Sequence, residues 1–185
     1  MTSDGSPSVQ VVTAAATRTR DAQRARVYRA EDAWAGRLDA ARLGAVLATV
    51  GGSALVLPAE RRFGTLEAVA DYGARVLAVP EVVALVGSLD PPRLRLRRGA
   101  RSAHWEAPGV VALPVPARGE PWALRETVVL HELAHHVGEL GGLCAGHRPP
   151  FPAVVLHLVR AVLGEEAALA LRVHYGQERV EVGQL

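Results

Sequence analysis

Residues 121–138 read PWALRETVVLHELAHHVG, and this stretch decides the fold of the chain. Its apolar residues recur at helical spacing, which predicts a helix with one buried stripe formed by Leu124, Val128, Val129, Leu133 and Val137. Pro121 suits the first position of such a helix, and Gly138 suits the position just after its last turn. Because the same stretch carries three of the chain's 7 histidines, it also bears on function.

The predicted helix contains the pattern His131-Glu132-Leu133-Ala134-His135. Two histidines four residues apart lie on one helical face, so both imidazoles can bind one metal ion. Zinc is the expected metal, because imidazole suits it and three protein ligands plus one water form an open catalytic site. Glu132 lies where a carboxylate can take a proton from that water and later give it to a leaving group. Roughly 2 in 100 shuffled sequences of this composition would contain the pattern by chance. Its position within a predicted amphipathic helix makes a chance occurrence less probable still.

A third protein ligand is needed beside the two histidines. The metzincin spacing would require a histidine at position 141, which is Gly141. A gluzincin arrangement would instead take Glu165 or Glu166 from a later helix. The remaining candidate is His147, which follows His135 by 12 residues across a glycine-rich loop that can fold back. We favour His147, with the two glutamates as the alternative.

One short segment carries a family resemblance. Gly146-His147-Arg148-Pro149-Pro150-Phe151 resembles the Gly-His-Gly-Pro-Glu-Phe segment after the zinc helix in an uncharacterised actinobacterial family of HExxH metallohydrolases. Arg148 and Pro150 depart from the glycine and the glutamate of that segment. Near the start of the chain, the resemblance extends to Arg20-Asp21-Ala22-Gln23-Arg24, Val27-Tyr28 and Ala30-Glu31.

The resemblance has implications for the metal ligands. A similar His-Gly-Pro-Glu-Phe segment supplies the third zinc ligand in SprT-like and WLM-type minimal zinc proteases. By this resemblance, one zinc ion per chain is bound by His131, His135 and His147, and Glu132 is the catalytic base.

The rest of the chain predicts an α+β fold. Residues 1–17 are expected to form a disordered arm and residues 18–185 a single domain. Arg93–Arg97 alternates as a half-buried strand does, Ala103–Glu106 could pair back on it, and Gly109–Val115 forms another strand. Prolines near the end of this last strand cannot donate backbone hydrogen bonds, which predicts a sheet edge. With helices on either side, we expect a zincin-like domain, with a small antiparallel sheet packed on the HExxH helix.

Composition narrows the choice of partners and compartment. The chain has 185 residues, with 21 basic residues against 19 acidic ones and a formal net charge of +2, which requires neither a nucleic acid nor a membrane. No apolar stretch reaches the roughly 18 residues that a transmembrane helix needs. A single cysteine, Cys144, excludes an intrachain disulfide and favours a reducing cytoplasm.

Other polar residues have both a functional and a structural interpretation, and the structural one is favoured for each. His136 could brace Glu132, and Cys144 could bind zinc. The pair His174-Tyr175 could donate to an oxyanion. The arginines within residues 93–101 could bind phosphates, although alternating Arg and Leu is more typical of a solvated strand face.

These features predict a zinc-dependent hydrolase, and a peptidase is favoured because an extended peptide could pair with the edge strand beside the cleft. Two other classes remain as alternatives. One is a metal-dependent amidohydrolase of a non-peptide substrate. The other is a non-catalytic zinc-binding protein, regulatory or associated with nucleic acid through the arginine-rich strand.

Overall fold

The computed structural model describes residues 21–44, 48–97, 102–114 and 122–185. Both the predicted arm of residues 1–17 and Pro121 lie outside these ranges. Within them the α+β prediction is confirmed, and no helix there is long and apolar enough to cross a membrane. The elements are α1 (Arg24–Arg42), β1 (Ala48–Val50), β2 (Ser53–Leu55), α2 (Leu66–Leu77), α3 (Pro80–Val86), β3 (Arg93–Arg97), β4 (His104–Glu106), β5 (Val110–Pro114), a 3₁₀ turn (Trp122–Leu124), α4 (Glu126–Leu140), α5 (Pro150–Leu163) and α6 (Glu165–Gln177).

Helix α1 packs along α6 through a stripe of apolar residues. The stripe has helical spacing and is almost fully buried: Val27, Ala30, Trp34 and Leu38. Trp34 also donates from Nε1 to the carbonyl oxygen of Ala167, 3.1 Å away. This anchoring leaves the neighbouring face of α1, which carries Tyr28 and Glu31, beside the histidines of α4.

The sheet of β3, β4 and β5 differs from the prediction in its strand order. It is mixed: β5 lies in the centre, parallel to β3 and antiparallel to β4. The prediction that Gly109–Val115 forms an edge strand is therefore wrong, and Ala103–Glu106 does not pair back on Arg93–Arg97. The physical reason lies in the run Val111-Ala112-Leu113, which is buried on both faces as a central strand requires. Pro114 is the last residue of β5 rather than an interior one.

Helix α4 lies at the centre of the domain, between α5, α2 and β4. Every residue from 129 to 138 is buried, so the single apolar stripe predicted from the sequence understates how completely the helix is enclosed. The predicted stripe residues Val129, Leu133 and Val137 are at most 3% exposed. A central helix of this kind holds its side chains in fixed directions because close-packed neighbours surround it.

A pair of buried carboxylates fixes the start of α4. Glu60 accepts hydrogen bonds from the backbone N–H and the hydroxyl of Thr127, which caps the first turn of the helix from a distant segment. It also accepts a two-pronged hydrogen bond from Arg125. Glu126 in turn accepts from the backbone N–H of Arg61 at 2.9 Å and from the hydroxyl of Tyr72 at 2.7 Å. The extended segment before α2, which contains Glu60 and Arg61, is thereby held against α4.

The end of α4 also differs from the prediction. The helix continues to Leu140, so Gly138 lies inside it rather than after it. The carbonyl oxygen of Gly138 accepts from the backbone N–H groups of Leu143 and Cys144, at 2.8 and 3.0 Å. A Cβ at position 138 would lie 2.4 Å from Sγ of Cys144. The glycine is needed for this close approach of the returning loop and not as a stop signal.

Candidate metal centre

Three histidine side chains meet in the described part of the chain, and they are the three predicted ligands. His131 and His135 extend from α4, and His147 reaches them from the loop between α4 and α5. One ring nitrogen of each lies within 4.8 Å of those of the other two. The Nε2 atoms of His131 and His147 are 3.3 Å apart, and all three residues are at most 9% exposed. This buried set of imidazole nitrogens could hold a metal ion.

Carboxylates orient two of the three imidazoles from their far side. Oε2 of Glu31 lies 2.6 Å from Nδ1 of His131, and Oδ2 of Asp21 lies 2.7 Å from Nδ1 of His147. A ring that donates from Nδ1 to a carboxylate keeps the lone pair of Nε2 for a metal. Both carboxylates therefore select the tautomer that a metal ligand needs.

These two carboxylates are themselves held in place. The hydroxyl of Tyr175, a fully buried residue, donates to Oε1 of Glu31 over 2.7 Å. The backbone N–H of His147 donates to the same oxygen of Asp21 that faces its ring, at 3.0 Å. Each carboxylate thus has a second hydrogen bond that restricts its rotation.

Aromatic rings enclose the cluster. Tyr28 stacks on His131 with ring centroids 5.0 Å apart and an interplanar angle of 26°. Phe151 stacks on His135 with centroids 4.2 Å apart and an angle of 27°. Because these rings occupy the space around the imidazoles, the histidines have little freedom to adopt other rotamers.

The loop that carries His147 is held by both ends of the described chain. Gln23 donates from Nε2 to the carbonyl oxygen of His147 at 2.6 Å and accepts from the backbone N–H of Glu181 at 3.0 Å. Further along, the backbone N–H of Gly183 donates to the carbonyl oxygen of Pro149 at 2.6 Å. A Cβ on Gly183 would lie 2.9 Å from the carbonyl carbon of Pro149, so only glycine allows this contact.

The charge states of the cluster suit metal binding. Burial, together with the neighbouring His131 and His147, lowers the pKa of His135 to about 2, so this ring is neutral. Burial also lowers the pKa of His147, and Asp21 offsets only part of that effect. Burial opposes a charge on His131 too, but the Glu31 carboxylate outweighs it and raises the pKa of His131. A bound cation would replace the proton in that position.

Glu132 lies beside the cluster as a buried carboxylate without a full set of partners. It is 2% exposed, and its Oε2 atom has no hydrogen-bond partner among the described residues. Burial raises the pKa of Glu132 to about 7, although the charge of His131 and the backbone amide of Trp105 both lower it. An orphaned buried carboxylate oxygen is costly, which indicates that it has a partner beyond the described residues, such as a bound ligand.

A cleft of about 340 Å³ opens in front of Glu132 and His131. Its walls come from α1, from the residues just before β4 and from the start of α4: Arg24, Tyr28, Glu31, Asp32, Ala35, Ser102, Ala103, Trp122, Arg125, Thr127 and Val128. The cleft is large enough for part of an organic substrate. Two arginines and three carboxylates line it, and one of the arginines, Arg125, is already paired with Glu60 and Asp39.

The alternative ligands Glu165 and Glu166 lie elsewhere. Glu165 pairs with Arg160 at 3.1 Å near the surface, and Glu166 accepts a hydrogen bond from the backbone N–H of Val56. Neither belongs to the histidine cluster. Among the described residues the geometry therefore favours His147 as the third ligand.

Two residues weighed in the sequence have structural roles. Nε2 of His136 lies 2.8 Å from the carbonyl oxygen of Asp90. Its Nδ1 accepts a hydrogen bond from Nε1 of Trp105 at 3.3 Å. It therefore joins α4 to β4 and to the segment before β3, and no hydrogen bond connects it to Glu132. Burial raises the pKa of Cys144 to about 11, which leaves an un-ionised thiol outside the cluster.

The described arginines of β3 face the solvated side of the sheet. Arg95 pairs with Glu106 across β5, and Arg97 contacts His104. Ala112 lies between these side chains in register with Arg95 and is fully buried beneath them. Arg98 and Arg101 lie outside the described residues.

Sequence reasoning did not assign a role to Asp21, Glu31 or Tyr28. Asp21 and Glu31 are 126 and 100 residues from the histidines they contact, and local periodicity carries no signal for such contacts. The available signal was the resemblance near the start of the chain, because all three residues belong to its matched segments.

Comparison of the chain with protein-family models, with curated proteins and with solved structures found no match. The family resemblance of residues 146–151 therefore stays a prediction.

Proposed function

We propose that this chain is a single-zinc metallohydrolase with a zincin-like arrangement and that its substrates are peptides. One observation carries the proposal: three imidazole nitrogens converge beside Glu132, a buried carboxylate that lines a cleft and has one oxygen without a hydrogen-bond partner among the described residues. Histidine clusters alone also occur in structural metal sites, but those are closed by a fourth protein ligand. Among the described residues no fourth ligand joins the three histidines, and His131 and Glu132 line a cleft.

Zinc is the metal that this donor set suits best. The 3.3 Å between the Nε2 atoms of His131 and His147 matches the separation expected for two donors about 2.0–2.1 Å from a tetrahedral ion. All three donors are imidazoles, and Cys144 lies outside the set. Three neutral nitrogen ligands leave the net charge of a divalent ion in place, which favours catalysis over structural binding.

The residues divide the chemistry between them. When bound by His131, His135 and His147, zinc supplies Lewis acidity and a water of lowered pKa. Glu132 takes the proton of that water as general base and gives it to the departing amine as general acid.

Peptides are favoured as substrates because of β4. Among the described strands β4 pairs with β5 alone, so no described strand covers its other edge. Ser102 and Ala103, which come directly before β4, line the cleft in front of Glu132. An extended peptide could add to this edge by backbone hydrogen bonds and place a carbonyl group near the carboxylate.

The test combines metal analysis with a peptide library. The purified chain should contain one zinc ion, removable by a chelator, and should cleave members of an unbiased peptide library. Glu132→Gln should keep the zinc and lose about 10²- to 10⁴-fold in rate, the usual cost of removing a general base. Glu165→Gln is the matched control, since its side chain is 78% exposed and outside the centre. It should retain both zinc and activity.

Three results would contradict the proposal. Full activity in Glu132→Gln would remove the general base from the mechanism. Loss of zinc in that variant would make Glu132 a ligand. Tightly bound zinc with no cleavage of any peptide by the unaltered chain would indicate a non-catalytic zinc protein or a hydrolase of other amides.

A further inference from the structure

Helix α1 supplies one whole wall of the cleft. The five residues that it contributes are spaced by 4, 3, 1 and 3 positions, which places them on one helical face: Arg24, Tyr28, Glu31, Asp32 and Ala35. Glu31 on this face already has a role, because it orients His131. Tyr28, one turn earlier, contacts the same imidazole with its ring, and its hydroxyl oxygen accepts from Arg24, which leaves the hydroxyl proton available to a ligand.

The three tyrosines of the chain use their hydroxyl groups differently. Tyr72 donates to the buried Glu126, and Tyr175 donates to the buried Glu31, each over 2.7 Å. Among the described residues the hydroxyl of Tyr28 donates to no carboxylate, and Tyr28 alone of the three lines the cleft. An ordinary phenol is protonated at neutral pH, so Tyr28 has a hydrogen-bond donor to offer a ligand there.

Positive charge lies next to this phenol. The guanidinium carbon of Arg24 lies 5.4 Å from the centre of the Tyr28 ring. Arg24 forms no ion pair among the described residues, in contrast to Arg125, which Glu60 and Asp39 neutralise on the same cleft. The α1 wall therefore offers a neutral donor and a neighbouring guanidinium to an anionic oxygen, although Glu31 and Asp32 lie on the same wall.

We propose that the Tyr28 hydroxyl donates a hydrogen bond to the substrate carbonyl oxygen as that oxygen becomes negative, a role that rests on the proposed hydrolysis. When water adds to the carbonyl carbon, the C=O π pair moves onto the oxygen and Glu132 takes the water's proton. When the pair returns, the C–N bond breaks and the amine leaves with the proton from Glu132. Tyr28 keeps its own proton, so it stabilises charge without entering the proton balance. Arg24 acts as a positioning residue that adds positive charge beside the phenol.

The test removes the hydroxyl group and keeps the ring. Tyr28→Phe should lower kcat by about 10²- to 10³-fold, as loss of one oxyanion donor does. KM for a fluorogenic peptide chosen from the library and the zinc dissociation constant should stay close to those of the unaltered chain. A phosphinic analogue of the same peptide, which mimics the tetrahedral state, should lose affinity in parallel with kcat.

Two further variants separate the hydroxyl from the stacking. Tyr28→Leu removes the ring as well, so it should also weaken zinc binding by loosening His131. Tyr72→Phe is the matched control for loss of a tyrosine hydroxyl outside the cleft, and measured below its melting temperature it should keep its kcat.

The outcomes distinguish this inference from the proposed function. An unchanged kcat in Tyr28→Phe, with an active unaltered chain, would overturn the role of the hydroxyl and leave the hydrolase intact. Loss of zinc in Tyr28→Phe would assign the hydroxyl to the structure of the centre and would also overturn it. An unaltered chain that binds zinc but cleaves no peptide would overturn both.

Discussion

At the scale of single residues, the centre depends on which nitrogen of each imidazole is free. Glu31 and Asp21 each accept from Nδ1, so the Nε2 atoms of His131 and His147 point at each other across 3.3 Å. An arrangement fixed before a metal arrives loses less conformational entropy on binding. No carboxylate in the described part of the chain contacts His135, whose ring stacks on Phe151 instead.

The third ligand gives the first prediction at this scale. His147→Ala removes one of three donors. Loss of a residue that only hydrogen-bonds to a metal ligand weakens metal binding by about 10- to 100-fold, so zinc affinity in this variant should fall further than that. Glu165→Ala and Glu166→Ala should bind zinc nearly as tightly as the unaltered chain, because both side chains have partners elsewhere. Competition with a chromophoric chelator measures all three. The reverse pattern would move this chain to the glutamate-liganded arrangement.

At the scale of elements, α4 is the part around which the others are placed. Its start is capped by Glu60, its two ligands lie in its middle and its end turns back towards His147. Helix α3 packs so closely against the end of α4 that glycine is required there. A Cβ on Gly141 would lie 2.4 Å from Cγ1 of Val86 and 2.6 Å from the carbonyl oxygen of Val137.

This close contact predicts a stability difference between two glycines. Gly141→Ala should destabilise the fold by about 1–3 kcal/mol, the usual cost of overpacking, because the backbone oxygen of Val137 cannot move aside without disturbing α4. Gly36→Ala is the matched control, since Gly36 is an exposed position of α1 with nothing within 4 Å of an added Cβ. It should stabilise by about 0.5–1 kcal/mol. Urea denaturation of both variants measures this, and equal stabilities would contradict the packing argument.

At the scale of the whole molecule, the two ends of the described chain meet over the ligand loop. Gln23, which is 5% exposed, joins the carbonyl oxygen of His147 to the backbone of Glu181, 158 residues further along. Asp21 comes from the same short segment and contacts the ring of His147. Zinc binding and the packing of the two chain ends over the His147 loop are therefore expected to be coupled.

The coupling is tested with Gln23→Ala. Removal of buried hydrogen bonds should cost about 1–3 kcal/mol, and part of this cost should appear as weaker zinc binding because the His147 loop is no longer fixed. The rise in melting temperature that saturating zinc produces should be smaller than in the unaltered chain. Arg29→Ala is the control, because its ion pair with Glu178 is largely exposed and contributes little. An unchanged zinc affinity in Gln23→Ala would show that the loop holds its shape alone.

The sequence alone could determine those features that depend only on the geometry of neighbouring residues. His131, Glu132 and His135 were predictable because a helix puts residues four apart on one face, whatever surrounds it. The cap of α2 is equally local, since the hydroxyl of Thr65 accepts from the backbone N–H of Ala68 three residues later. His147 was favoured from the glycine-rich loop and the family resemblance, with Glu165 and Glu166 left open.

Only the tertiary structure decided which distant segments touch these residues. The prolines near the end of β5 suggested an edge, but burial on both faces of Val111-Ala112-Leu113 places that strand in the centre and leaves β4 as the edge beside the cleft. Asp21 and Glu31 are ordinary acidic residues in the sequence and become the partners of His147 and His131 only when the chain folds. The physical reason is that helix and strand periodicity records which face of an element is buried. It carries no information about which element covers that face, because packing between distant segments decides it.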